Sequence, residues 1–314
     1  MNPSLQDRGD GVSFVVPVFD KAAHLPALCA TLRAQRGDFP REYVFVDDGS
    51  RDDSLAQLRF LTAAWPSTVI LTQPNGGSAA ATNAGLFAAT MPYVKFVDAD
   101  DLLHPDCTIR LLDALRGSDA GLAFCAREEF RPGETPVTDA PVPATTPERL
   151  DDALPRVLRN SLFNPTQILV RTALAQEVGG CDRRVVHSQE YGLALRMAHR
   201  APFIRLAERL CFHLVDQPDT LSTRRDKQLA RVTLAVSCFL ADHPDLAASI
   251  VRLAQRRAAS RAFRFRRRNP DGRSIAPHLW RAIRARWPMR DPAGFVRLCA
   301  ASIAELPVPP KDLI

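Results

Sequence analysis

The chain has no apolar run of the length a membrane span requires. Its best candidate, Val232 to Ala241, is ten residues long and carries Thr233 and Ser237, whereas a spanning helix needs roughly 18 apolar residues. The opening residues, MNPSLQDRGD, form neither a basic nor an apolar leader, so nothing marks the chain for secretion and a cytoplasmic location is expected. Cysteine is sparse and unpatterned. Cys29, Cys107, Cys125, Cys181, Cys211, Cys238 and Cys299 are an odd number with no CxxC pair, which argues against a zinc or disulfide frame and for small buried side chains in a reducing compartment. No glycine follows the first apolar strand and no GxxxxGK[ST] occurs, so two common phosphate-binding signatures are missing. Lysine is absent and acid nearly so from Arg252 to Arg290. Thirteen Arg against Asp271 give that stretch +12, and since the whole chain carries +6 the remainder is at −6.

What is present describes a globular protein. Its 314 residues, 46% hydrophobic and 24% charged, suffice for about two domains with a real core. Four strand and helix pairs succeed one another in the first 130 residues. The strands are 12–19, 43–46, 69–71 and 93–97, and the helices 25–34, 54–64, 79–89 and 105–115. Repeated βα units with continuously apolar strands predict an α/β fold: a mainly parallel sheet flanked by helices and joined by right-handed crossovers. Five prolines between Pro132 and Pro147 predict an exposed connection. Mixed α/β character resumes over 150–222, and from about Arg225 the pattern is helical.

Two acidic clusters follow strands: Asp47 and Asp48 after YVFV, and Asp98, Asp100 and Asp101 after YVKFV. Parallel strands end at one edge, where ligands bind, so both clusters are expected to face one site. Carboxylates gathered there call for a hard cation, Mg²⁺ or Mn²⁺, that bridges protein to substrate phosphates. Ser50, Asp52 and Asp53 read instead as turn and cap residues.

Four strings, VSFVVPVFDKAAHLPALCATL, YVFVDDGSRDDS, NGGSAAATNAGL and VKFVDADD, resemble in order and spacing the nucleotide-sugar-binding half of family 2 glycosyltransferases of the GT-A, Rossmann-like fold. The resemblance implies a domain over 1–222, made of a nucleotide-sugar half at 12–130, the Pro-rich connection at 131–149 and an acceptor half at 150–222. A helical, Arg-rich region follows at 223–314. It further implies that Pro17 and Phe19 line the base, that Asp48 accepts a hydrogen bond from a uracil-type ring, and that Gly76 and Gly77 lie near the diphosphate. Asp98 and Asp100 match the DxD motif, with Asp100 the direct metal ligand. Thr82 stands where the family often has Arg. Further on, VGGCDRRVVHSQEYGLALRMA resembles the segment carrying the catalytic base of an inverting transfer, with Gln189 and Glu190 in place of the usual Glu-Asp pair. Glu190 then becomes the base, and His187 is the next candidate. His213 lies where related enzymes bring a loop over the diphosphate, which makes it a further metal ligand, a phosphate contact or a packed ring.

The basic stretch interleaves Arg with Phe263, Phe265, Trp280 and Trp287. That composition suits a helix on anionic lipid, attracts nucleic acid, or forms a solvated face. The family resemblance favours the inner face of the membrane as the partner, and no nucleic acid is expected. The implied activity is transfer of a sugar from a nucleotide-diphosphate sugar, a UDP sugar first, to a saccharide or lipid-linked acceptor. The rival readings are a catalytically silent nucleotide-sugar binder and a sugar nucleotidyltransferase. The latter calls for a glycine-rich basic loop, and FDKAAHL is not one.

Overall fold

The computed structural model describes residues 9–185, 189–216, 225–269 and 274–304; His187 lies outside them. In chain order the elements are β1 (Val12–Val18), α1 (Leu25–Arg33), β2 (Arg41–Asp47), α2 (Ser54–Thr62), β3 (Thr68–Thr72), α3 (Ser78–Ala88), β4 (Tyr93–Phe96), β5 (Leu102–Leu103), α4 (Cys107–Leu115), β6 (Leu122–Phe130), β7 (Glu148–Leu150), α5 (Ala153–Arg159), β8 (Ile168–Arg171), α6 (Thr172–Glu177), α7 (Gln189–Arg200), β9 (Phe203–Leu214), α8 (Arg225–Asp242), α9 (Ala248–Arg268), α10 (Ala276–Arg284) and α11 (Pro292–Ala301). They fall into two compact units that no single cut along the chain separates. The sheet unit comprises Met1–Asp151, Phe163–Cys181 and Arg200–Pro218, and the helical unit Asp152–Leu162, Asp182–His199 and Asp219–Ile314.

One nine-stranded sheet, in the order β3-β2-β1-β4-β8-β6-β9-β5 with β7 also on β9, organises the sheet unit. Pairing is parallel from β3 to β4. Antiparallel contacts enter at β4–β8 and β8–β6. Strand β1, VSFVVPV, is buried along nearly its whole length, as an apolar strand covered on both faces must be. Helix α1 turns Leu25, Leu28 and Leu32 inward at the spacing of one helix face. Helix α3 lies close enough on β1 and β2 that a Cβ on Gly85 would collide with Val15 and come 3.3 Å from Val46. The Pro-rich connection stays within this unit. Arg110 Nη2 donates to the Val142 carbonyl at 2.8 Å, and the Thr145 N–H to Glu208 Oε1 at 2.7 Å.

In the helical unit, α9 buries a stripe of small residues, Ala254, Ala258 and Ala262, together with Arg261. Several of its arginines are structural. Arg257 donates to Asn160 Oδ1 at 2.8 Å, and Arg266 Nε to the Ser302 carbonyl at 2.5 Å. Helix α10 differs, for none of its residues is buried. Leu279, Trp280 and Ile283 are exposed, as is Trp287 just beyond it. Among the described residues no helix is long and apolar enough to cross a membrane.

Candidate functional site

Parallel pairing brings the ends of β1 to β4 to one edge of the sheet, and backbone bonds stagger the exits. The Asp48 N–H donates to the Val18 carbonyl at 2.8 Å, that of Gln73 to Asp47 at 3.0 Å and that of Val97 to Val15 at 3.0 Å. The 73–77 loop, Asp48, Phe19 and Asp98 are therefore consecutive stations along that edge. Pro17 is half-buried at the end of β1, and Phe19 is exposed with the Arg51 guanidinium 5.3 Å from its ring. Arg51 is held in turn by Asp20, whose carboxyl its hydrogen bonds keep below the usual range. Asp52, as a turn residue should, accepts from the Ser54 and Ala22 N–H groups.

Asp48 is buried, and its carboxylate shapes the loop in front of α3. Oδ1 accepts from the Gly76 N–H at 2.9 Å and from Gln73 Nε2 at 2.7 Å, and Oδ2 from the Gly77 N–H at 2.9 Å. Gly77, at φ +81°, caps α3 in a conformation that side chains rarely adopt. Asp48, Gly76 and Gly77 thus form one structure, which presents the N-terminus of an eleven-residue helix, the end that favours anions. Thr82 is buried on that helix.

The reading of the sequence missed Lys21. Its ammonium lies 2.6 Å from Asp100 Oδ2, and its backbone N–H is tied to Ser54 Oγ at 2.8 Å. The position just after β1 was the available signal, since the end of a strand beside the DAD segment shares its edge. Thr166 was also missed. It stands in the 3₁₀ turn Pro165–Gln167, and its hydroxyl accepts from the Asp98 N–H at 3.0 Å and donates to Asp101 Oδ2 at 2.5 Å. Asp101, 1% exposed, also accepts from the Leu214 N–H at 3.2 Å and from His213 Nδ1 at 2.9 Å. The third acid of the cluster is therefore an internal knot. The other nitrogen of His213 lies 3.3 Å from Asn164 Nδ2, so both ring nitrogens are engaged. Burial pulls the imidazole pKa down, yet the hydrogen bond and charge of Asp101 outweigh it and hold the ring above its ordinary value.

Asp98 and Asp100 remain as hard oxygen donors at the edge. Among the described residues no third carboxylate or imidazole joins them within the reach of one ion. That donor set fits a cation that takes one or two carboxylates and fills its shell with phosphate oxygens and water.

Glu190 belongs to the helical unit, half-buried in the first turn of α7, where the helix dipole favours a carboxylate. The neighbouring Tyr191, buried, fixes that turn by donating to the Val157 carbonyl at 3.0 Å. Leu193, Leu195 and Met197 are buried along the helix.

Comparison with known proteins gives this edge its context. An uncharacterised glycosyltransferase of Escherichia coli K12, YibD, is 30% identical over 129 residues, 40% of this chain. The chain spans little more than a third of that relative's length, 36%. Among solved structures, Staphylococcus aureus TarS 1-349 in complex with UDP-GlcNAc has a TM-score of 0.62 at 18% identity, over 88% of this chain and 79% of that one. The mannosyltransferase PcManGT of Pyrobaculum calidifontis, in complex with GDP-Man and Mn²⁺, has a TM-score of 0.56 at 18% identity, over 96% and 87%. These likenesses give the GT-A fold. The profile of Glycosyl transferase family 2 matches residues 13–170, just over half of the 314 residues and all of the strand-end edge from Phe19 to Asp101, and the chain belongs to that family.

Proposed function

We propose that the protein is an inverting glycosyltransferase that moves a sugar from a nucleotide-diphosphate sugar to an acceptor hydroxyl on a saccharide or lipid-linked carrier. One observation carries the reading: the Asp98 and Asp100 carboxylates and the glycine turn that opens α3 share one strand-end edge. A UDP sugar is the first donor to try, since the UDP-GlcNAc complex of TarS supports it; GDP-mannose, bound by PcManGT, is the second. Asp98 and Asp100 would hold a divalent cation, Mn²⁺ or Mg²⁺, which when bound neutralises the leaving diphosphate. The protein's own part is division of labour. Pro17 and Phe19 bind the base, the 73–77 loop and the α3 N-terminus receive the diphosphate, and Lys21 holds Asp100 in place until donor arrives. Glu190 takes the proton of the attacking hydroxyl.

Calorimetry with UDP-GlcNAc and GDP-mannose, in Mn²⁺ and in EDTA, tests the donor site. Binding should require the metal and be lost in Asp100→Asn; equal affinity with EDTA overturns the metal assignment. Glu190→Gln should keep donor affinity and lose transfer by about 10² to 10⁴. Donor binding without transfer or donor hydrolysis in the wild type would establish the silent-binder reading instead.

The exposed face of α10 supports a peripheral position on the inner face of the membrane. Leu279, Trp280, Ile283 and Trp287 supply apolar anchors beside Arg281, Arg284 and Arg286, each basic residue adding about 1 kcal/mol near an anionic leaflet. Vesicle flotation should show binding that falls with salt and with Trp280→Ser and Ile283→Ser. Protein that ignores anionic vesicles at low salt overturns this placement.

A further inference from the structure

Thr166 has a second set of neighbours. Its carbonyl oxygen accepts from Lys95 Nζ, and at 3.0 Å from Cys211 Sγ. Lys95 stands on β4 between β1 and β8 and is wholly buried. Around it three cysteines converge from distant parts of the chain: Cys107 at the start of α4, Cys125 on β6 and Cys211 on β9. Cys211 Sγ lies 3.6 Å from Cys107 Sγ and 3.4 Å from Cys125 Sγ, and all three sulfurs fall within 4.8 Å of one another. None is more than 1% exposed.

Three packed thiols alone would be an apolar patch; the ammonium beside them changes the chemistry. A wholly buried positive charge has to be matched by a negative one. The Asp101 carboxylate is already shared among Thr166, His213 and Leu214, while one thiolate among the three sulfurs would balance Lys95 directly. Three thiolates around a divalent ion carry the same net charge of minus one. Such an ion can therefore replace two thiol protons without altering the charge buried against Lys95, which removes the main cost of putting a cation in a core. Geometry agrees. A triangle with sides of 3.4 and 3.6 Å and a third of at most 4.8 Å has a point within about 2.4 Å of every corner, against a zinc–thiolate bond of about 2.3 Å. Soft sulfur donors select zinc or monovalent copper over the hard ions suited to Asp98 and Asp100. Of the two, zinc closes the charge.

We propose that Cys107, Cys125 and Cys211 form a three-thiolate zinc site with the Lys95 ammonium as its counter-charge. The ion ties α4, β6 and β9 together, and the Thr166 carbonyl, 3.0 Å from Cys211 Sγ, is placed to complete its coordination. Because the Thr166 hydroxyl carries the Asp98 N–H, the site anchors the DAD segment from behind, and it stands whether or not the donor reading above holds.

Full-length protein, purified without a metal-affinity step and dialysed against a weak chelator, should retain about one zinc per chain by elemental analysis. Cobalt exchanged into it should show thiolate-to-metal charge-transfer absorption, and X-ray absorption at the zinc edge of the wild type should show sulfur neighbours. Cys107→Ser, Cys125→Ser and Cys211→Ser should each abolish retention, with circular dichroism reporting whether they fold; Cys29→Ser and Asp100→Asn should keep it. Lys95→Met should weaken zinc binding about 10- to 100-fold, as loss of a supporting neighbour does. The proposal is overturned if wild type equilibrated with Zn²⁺ binds none and cobalt gives no thiolate band. Serine variants that retain the ion overturn it too, as does a Cys125–Cys211 disulfide found on alkylating the denatured protein.

Discussion

Replacing Thr166 by Val removes one oxygen and almost nothing else. That oxygen takes the Asp98 N–H at 3.0 Å and gives a hydrogen bond of 2.5 Å to the buried Asp101 carboxylate. Valine keeps the volume, so the loss is electrostatic. An unpaired buried N–H costs about 1–3 kcal/mol, and a lost bond to a charged acceptor about 1.5–3. Asp101 retains His213 and Leu214, which limits its share, so the expected destabilisation is about 3 kcal/mol. At a urea m-value of about 3 kcal/mol/M the midpoint should fall by about 1 M. Thr166→Ser is the control. It keeps the hydroxyl and loses a methyl, worth about 0.8 kcal/mol, so the gap of about 2 kcal/mol between Val and Ser measures the oxygen alone. Donor affinity should follow the same order, because the Asp98 backbone loses its anchor only in the valine variant. If Val and Ser variants unfold within about 0.5 kcal/mol of each other, the surface-mutation range, Thr166 does not hold the DAD segment and the argument from it fails.

Asp48→Asn exchanges one acceptor oxygen for an amide facing backbone N–H donors; a loss of about 1.5–3 kcal/mol by urea titration is expected, with weaker nucleotide binding by calorimetry. Gly85→Ala drives a methyl into Val15 and should cost about 1–3 kcal/mol, read as a lower melting temperature. His213 has a folded pKa raised by Asp101 above the unfolded 6.5. Its pair with Asp101 therefore stabilises fully below about pH 6.5 and fades as pH rises through the higher folded value; His213→Gln should flatten stability over that window in urea titrations taken at successive pH values.

The first four βα units were legible because each strand is a mostly apolar run, broken in β4 by the buried Lys95, and each helix keeps its period. Strands 12–19 and 43–46 correspond to Val12–Val18 and Arg41–Asp47. The strand-end acids were legible for the same reason, since a parallel sheet fixes where strand ends gather. What sequence spacing could not carry was convergence. Lys21 and Asp100 lie 79 positions apart, and Cys107 and Cys211 lie 104 apart; only the strand order of the folded sheet makes them neighbours. Counting cysteines for local pairs therefore passed over a cluster that topology assembles. The Arg-rich stretch shows a related limit, because charge alone does not distinguish Arg261, buried on α9, from Arg281 on the exposed α10.

The scattered make-up of the helical unit bears on how the protein is synthesised. Asn160 waits for Arg257, 97 residues later, and the Arg159 carbonyl for Arg261, 102 residues later. At roughly 5–20 residues per second the ribosome needs about 5–20 s to deliver those partners. Until then α5, and later α7, wait with Val157, Tyr191, Leu195 and Met197 lacking the helices α8 to α11 of their own unit. Expression fragments ended near residue 222 would freeze the chain at this stage, and their solubility would report on missing helices rather than on the donor site. A nascent chain of this design is expected to need holding chaperones over a stretch set by its own topology, and slowing translation after α7 should lengthen that dependence.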